Sequence, residues 1–109
     1  MFILIEVSIY GQQELHIHHI NIENGDATLV GIFDITQQKY SSKILIDGGQ
    51  LSAEKMLLPY IHKMIGDDGE SVHFNYVILT HYHNDHYTGL MALKNGRITA
   101  DSIIDPRSP

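Results

Sequence analysis

The sequence predicts an α/β fold built on one mixed β-sheet with flanking helices, and three observations carry that prediction. The first half of the chain alternates apolar and polar residues with the two-residue period of strands. An apolar stripe with helical spacing follows, formed by Met56, Leu57, Tyr60, Ile61, Met64 and Ile65. Two short apolar segments, Lys43–Asp47 and His73–Thr80, flank that stripe. That is the layout of a strand–helix–strand unit, whose strands run parallel through a right-handed crossover.

Taken in order, Phe2 to Tyr10 reads as a strand, with Phe2 and Leu4 on one side and Ile3, Ile5, Val7 and Ile9 on the other. Gly11-Gln12-Gln13 is a turn, and Glu14 to Ile22 alternates again, giving a hairpin. Asn24-Gly25-Asp26 is a turn signal, because Asn-Gly tolerates positive φ, and it leads into a strand over Ala27 to Ile35. The polar run Gln37–Ser42 is expected as a loop before the strand Lys43–Asp47, which Gly48-Gly49 closes. Ser52 suits a helix N-cap, with Glu54 in the first turn. Pro59 conflicts with a regular helix interior, so the helix is either kinked there or regular only from about that point. Gly66 ends it. After the strand His73–Thr80, Thr88–Lys94 reads as a short helix, and Ile103 and Ile104 belong to a last strand.

Length and composition narrow the class. At 109 residues the chain makes one small domain. Apolar content of 43% and charged content of 18% are those of a soluble globular protein, and no residue run is long and apolar enough for a membrane span. The net charge of −6 disfavours a broad grip on nucleic acid. Cysteine is absent, which excludes disulfides and thiolate metal sites and fits a cytoplasmic location.

The most specific signal is His81-Tyr82-His83-Asn84-Asp85-His86, directly after the apolar run Tyr76–Thr80. Four of these six side chains are ligands for a divalent metal, and imidazole with carboxylate suits zinc or iron. His81 and His83 sit two apart, so an extended backbone points both rings the same way, toward one ion. Asp85 and His86 follow a bend and can serve a second ion. If the two flanking strands are parallel neighbours, both end on the same sheet edge, and Asp47 lies close to the motif. His16, His18 and His19 also resemble a site on paper. Packing on a sheet face or at the surface is the expectation there, although His16 and His18 share a face and could catch a stray ion.

The motif, with Val77-Ile78-Leu79-Thr80 before it and Tyr87-Thr88-Gly89-Leu90 after it, resembles the signature of the metallo-β-lactamase-fold hydrolases. Leu45-Ile46-Asp47-Gly48-Gly49 is similar to that family's I-D-x-G element. Asn24-Gly25-Asp26-Ala27-Thr28-Leu29-Val30 resembles a strand of the branch that includes the hydrolase domain of ComEC-type DNA-uptake proteins. The resemblance implies that His81 and His83 hold the first metal and Asp85 and His86 the second. It also implies that Asp47 orients a metal-binding imidazole from outside the ligand shell. The implied cofactor is a pair of Zn2+ ions, with Mn2+ or Fe as alternatives. The implied chemistry is attack of a metal-bound hydroxide on an ester or phosphodiester, with Asp85 moving a proton. Relatives used for diiron redox chemistry carry Glu where this chain has His83, so the resemblance leans to hydrolysis.

The family fold is a four-layer αββα sandwich of two halves, and the resemblance covers the N-terminal half. The family's later ligands, two His and a bridging Asp, have no matching positions after His86. Residues 1–109 are therefore expected to form a single partial domain, a fragment with weak or no activity alone. Such a half-domain is expected to associate with itself or with a complementing chain, and the alternative function is that of an interaction unit completed by a partner. The implied partners are a small-molecule or phosphodiester substrate, with nucleic acid disfavoured by charge and no membrane.

Overall fold

The computed structural model describes residues 2–22, 25–47, 54–65, 72–80 and 98–104. Six strands form one sheet in chain order: β1 (Phe2–Tyr10), β2 (Gln13–Ile22), β3 (Gly25–Asp34), β4 (Lys39–Ile46), β5 (Val72–Ile78) and β6 (Ile98–Ile104). β1 to β4 run as an antiparallel meander, and β4–β5 and β5–β6 pair in parallel. Helix α1 (Glu54–Ile65) separates β4 from β5, as the strand–helix–strand reading required. The mixed sheet is as expected, and α1 is the helix that flanks it among the described residues.

The turns follow from their residues. Tyr10 pairs with Gln13, leaving Gly11 and Gln12 to reverse the chain, and Gly11 has φ of 62°. Only glycine takes that conformation without a Cβ penalty. Ile22 pairs with Gly25, so β3 begins two residues before Ala27 and takes in Gly25 and Asp26 of the expected turn. Glu23 and Asn24 lie outside the described residues, as do Ser52 and Thr88–Lys94.

The expected loop Gln37–Ser42 is corrected by the structure, because β4 begins at Lys39. The turn is confined to residues 35–38, where Asp34 Oδ1 accepts the Gln37 N–H at 3.0 Å and the Gln38 amide donates to the Ile35 carbonyl at 2.7 Å. Tyr40 supplies the reason for the early start. It pairs with Phe33 across a register irregularity, and its ring meets those of His16 and Phe33 edge-on, with centroids 5.4 and 5.3 Å away. Gly31 makes room for it: a Cβ there would stand 2.5 Å from the Tyr40 ring. Packing against strand neighbours outweighs the polar local sequence. β6 likewise begins at Ile98, well before Ile103, and Ile98 is fully buried.

Leu58 and Ile61 of α1 join Ile20, Leu29, Leu45 and Val77 in one core cluster, so the helix covers one face of the sheet. Burying an aliphatic side chain of this size contributes about 1.5–3 kcal/mol. That scale offsets the backbone bond lost at Pro59, which is exposed inside a continuous helix. Alternation places Val30, Ile32, Ile44 and Ile46 on the opposite face, where they are only part-buried. Within β5 burial changes phase, from Val72 and Phe74 to Val77 and Leu79. At that change the Asn75 side chain accepts the Lys43 N–H at 2.8 Å, and the β4–β5 ladder starts one residue later, at Ile44 and Tyr76. Among the described residues no helix is long and apolar enough to cross a membrane.

Candidate metal centre

Parallel pairing brings the carboxyl ends of β4 and β5 level, with Ile46 opposite Ile78. Ligand sites of open α/β sheets gather at such ends. Two backbone bonds extend the ladder: the Asp47 N–H donates to the Ile78 carbonyl at 2.9 Å, and the Leu79 N–H donates to the Ile104 carbonyl at 2.8 Å. Asp47 is buried, at 9% exposure, and has φ of 60°. Asp is one of the few residues that tolerate this left-handed conformation, because its short side chain bonds locally or to a neighbour. Here the bonds run to Thr80. The Thr80 N–H donates to Asp47 Oδ1 at 2.9 Å, and the Thr80 hydroxyl donates to Oδ2 at 2.7 Å.

Asp47 therefore clamps the residue that immediately precedes His81. The parallel pairing brings Asp47 to Thr80, the last described residue before the motif. Thr80 closes the apolar run that the sequence shows as a strand. Its signal in the sequence was its place between the apolar strand and the first histidine, where a hydroxyl can supplement a backbone donor.

The expected ligands His81, His83, Asp85 and His86 lie outside the described residues. As a donor set, three imidazoles and one carboxylate fit a borderline divalent ion such as zinc. Among the described residues, no group of three or more His, Cys, Asp or Glu side chains is arranged to hold a metal ion. Asp101, a carboxylate later in the chain, lies three residues before the end of β6. There it accepts from His73 Nε2 at 2.8 Å and from the Asn75 amide at 3.4 Å.

The His16-Ile17-His18-His19 run is not a ligand cluster. His16 and His18 share the face covered by α1, as alternation requires, with ring centroids 6.3 Å apart. Each ring spends its Nδ1 on a tyrosine: His16 shares a 2.7 Å hydrogen bond with the Tyr40 hydroxyl, and His18 shares one of 2.8 Å with the Tyr60 hydroxyl of α1. His19 points to the other face and bonds Glu6 at 2.8 Å. His18 is 1% exposed, and its Nε2 has no hydrogen-bond partner among the described residues. Desolvation by burial, and secondarily the nearby His16, lower the His18 pKa below its ordinary 6.5. Burial likewise raises the Tyr40 and Tyr60 hydroxyls above the usual 10.0. The ring is kept neutral and serves to attach the helix.

The family model described as the metallo-beta-lactamase superfamily matches residues 41–105. A solved metallo-beta-lactamase from Pontibacter korlensis is similar at 18% identity and a TM-score of 0.42, over 89% of this chain and 42% of that one. The chain thus spans less than half the length of that structure. No curated protein matches the chain. The family match takes in most of β4, all of α1, β5 and β6 and the whole histidine motif, and by it the chain belongs to the metallo-beta-lactamase superfamily, a metal-dependent hydrolase fold whose members usually bind zinc.

Proposed function

We propose that this chain carries the first-half ligand set of a di-metal hydrolase acting on ester or phosphodiester bonds. His81 and His83 would hold one ion and Asp85 and His86 a second, with zinc as the cofactor and Mn2+ or Fe as substitutes. A bound divalent ion supplies a water pKa lowered to about 7 and polarises the oxygen that gains charge during hydrolysis. The protein's part is placement. Asp47 holds the backbone and hydroxyl of Thr80, so the chain enters the motif from a fixed point on the rim. Asp85 is the residue we assign to proton transfer, as the acid nearest the expected second ion. The phosphodiester preference rests on the resemblance of Asn24–Val30 to the DNA-uptake branch.

The observation that carries this reading is the two-bond Asp47–Thr80 clamp, which would be an unusual expense at an ordinary strand end. The test is metal analysis of the purified chain beside His81→Ala/His83→Ala, with hydrolysis of bis(p-nitrophenyl) phosphate followed in parallel. Stoichiometric metal that disappears in the double variant supports the assignment. Metal retained unchanged in the variant refutes it.

A second reading is favoured by the part-buried apolar face of Val30, Ile32, Ile44 and Ile46. In it, residues 1–109 are a partial domain that acts once a further layer, from the same polypeptide or a complementing chain, covers that face. Full activity that appears only on adding such a layer would select this reading.

A further inference from the structure

We propose that β1 is a self-association edge, at which two copies of this chain join antiparallel into one continuous sheet. The two edges of the sheet differ in their polar content. β6 carries Thr99, Asp101 and Ser102 along its middle, and a charged residue on an edge discourages pairing. β1 carries one charge, Glu6, which is bonded to His19 of the neighbouring strand, and otherwise lacks the usual safeguards. It holds no Lys or Pro, and its ladder with β2 runs unbroken from Phe2 to Tyr10, with no bulge to twist the edge away. Leu4, Ile5, Val7, Ile9 and Tyr10 are 51%, 48%, 52%, 67% and 69% exposed. Among the described residues nothing pairs with the outer edge of β1.

The strand is also self-complementary in one register. A twofold axis perpendicular to the sheet keeps opposed residues on the same face, so the axis must pass through a residue position. Centred on Glu6, the pairing sets two carboxylates directly opposite each other, which is destabilising. Centred on Ile5, it sets Leu4 against Glu6. Centred on Val7, it matches like with like: Val7 with Val7, Ile5 with Ile9, Leu4 with Tyr10, and Glu6 with Ser8, whose hydroxyl can donate to the carboxylate. Each Glu6 keeps its bond to His19 of its own chain in that arrangement. The apolar Ile5, Val7 and Ile9 then form one ladder on the helix-covered side. The partner is a second copy because the match is between β1 and itself.

The test is light scattering with hydrogen exchange on the chain and on Val7→Lys, which places two ammonium groups at the axis. The expected result is a mass of two chains with β1 amides protected, falling to one chain with fast β1 exchange in Val7→Lys. Circular dichroism checks that the variant is folded. Because the chain has no cysteine, single-cysteine variants report the register. Val7→Cys should oxidise to a covalent dimer much faster than Glu6→Cys. A monomer with freely exchanging β1 amides overturns the proposal. So does a monomer with protected β1 amides, which would mean cover from the same polypeptide, and so do open-ended assemblies that survive Val7→Lys. Faster cross-linking at Glu6→Cys overturns the register.

Discussion

Two regions of this molecule are rich in histidine: one is packed within the sheet, and the other is the proposed metal motif. In β2, His16 and His18 sit in mid-strand, on the face that α1 covers, and their Nδ1 atoms are bonded to Tyr40 and Tyr60. Beyond the carboxyl end of β5, the sequence after Thr80 continues with three histidines and an aspartate within six residues. Mid-strand positions have neighbours on every side, so a ring placed there becomes a packing element. Strand ends have neighbours behind and open space in front, so side chains placed there remain available to a ligand. Residue type does not separate the two cases; position in the topology does. The electrostatics follow, since burial keeps His18 neutral in the first region.

Substitutions in both regions test this contrast, beginning with the rim. Asp47→Ala removes both acceptors of Thr80 and leaves an alanine at φ of 60°. Lost hydrogen bonds to a charged group and the left-handed penalty together should cost about 3 kcal/mol. Asp47→Asn keeps an acceptor and tolerates the backbone, so it should cost about 1 kcal/mol. Urea denaturation of the pair decides the matter, and equal midpoints would mean that the clamp holds nothing. In the packed region, Gly31→Ala drives a methyl group into the Tyr40 ring and should cost about 1–3 kcal/mol. Shortening the ring with Tyr40→Ser in the same chain should relieve part of that loss in a thermal melt.

The smallest effect concerns pH. The His18 pKa is lower in the folded protein than its ordinary 6.5, so the folded state prefers the neutral ring. This contribution is fully present above pH 6.5 and is lost as pH falls below that value toward the folded pKa. Denaturation midpoints should therefore drop on acidification, and His18→Gln should flatten that slope. An unchanged slope in the variant would show that His18 is not strained by its burial.

Much of this was legible in the sequence because periodicity reports faces. Alternation predicted β1 and β2 and the sharing of a face by His16 and His18. The order strand–helix–strand predicted the parallel β4–β5 pair and, through it, the approach of Asp47 to the rim. What escaped depended on contacts between residues distant in the chain. Lys39–Ser42 looks like a loop because its own residues are polar, and it is a strand because Tyr40 docks over Gly31. The start of β6 at Ile98 was hidden among polar neighbours, Arg97, Thr99 and Asp101. Pro59 argued against an unbroken helix, and core burial of Leu58 and Ile61 on either side of it prevailed. Leu58 falls outside the apolar stripe that the helical spacing picks out. The partner of Asp47 was harder to read, since the signal at Thr80 is no more than its place between the apolar strand and the first histidine.

The clamp also has a kinetic side. Asp47 and Thr80 are 33 positions apart, so their contact waits until β4 and β5 have found each other across α1. Closing so long a loop carries an entropic cost that the later contacts must repay, which places this step late in folding. A chain still emerging from the ribosome would carry its imidazoles without their anchor and could grip an ion only loosely. Firm capture would begin once the sheet is assembled, so maturation of the centre would report completion of the fold.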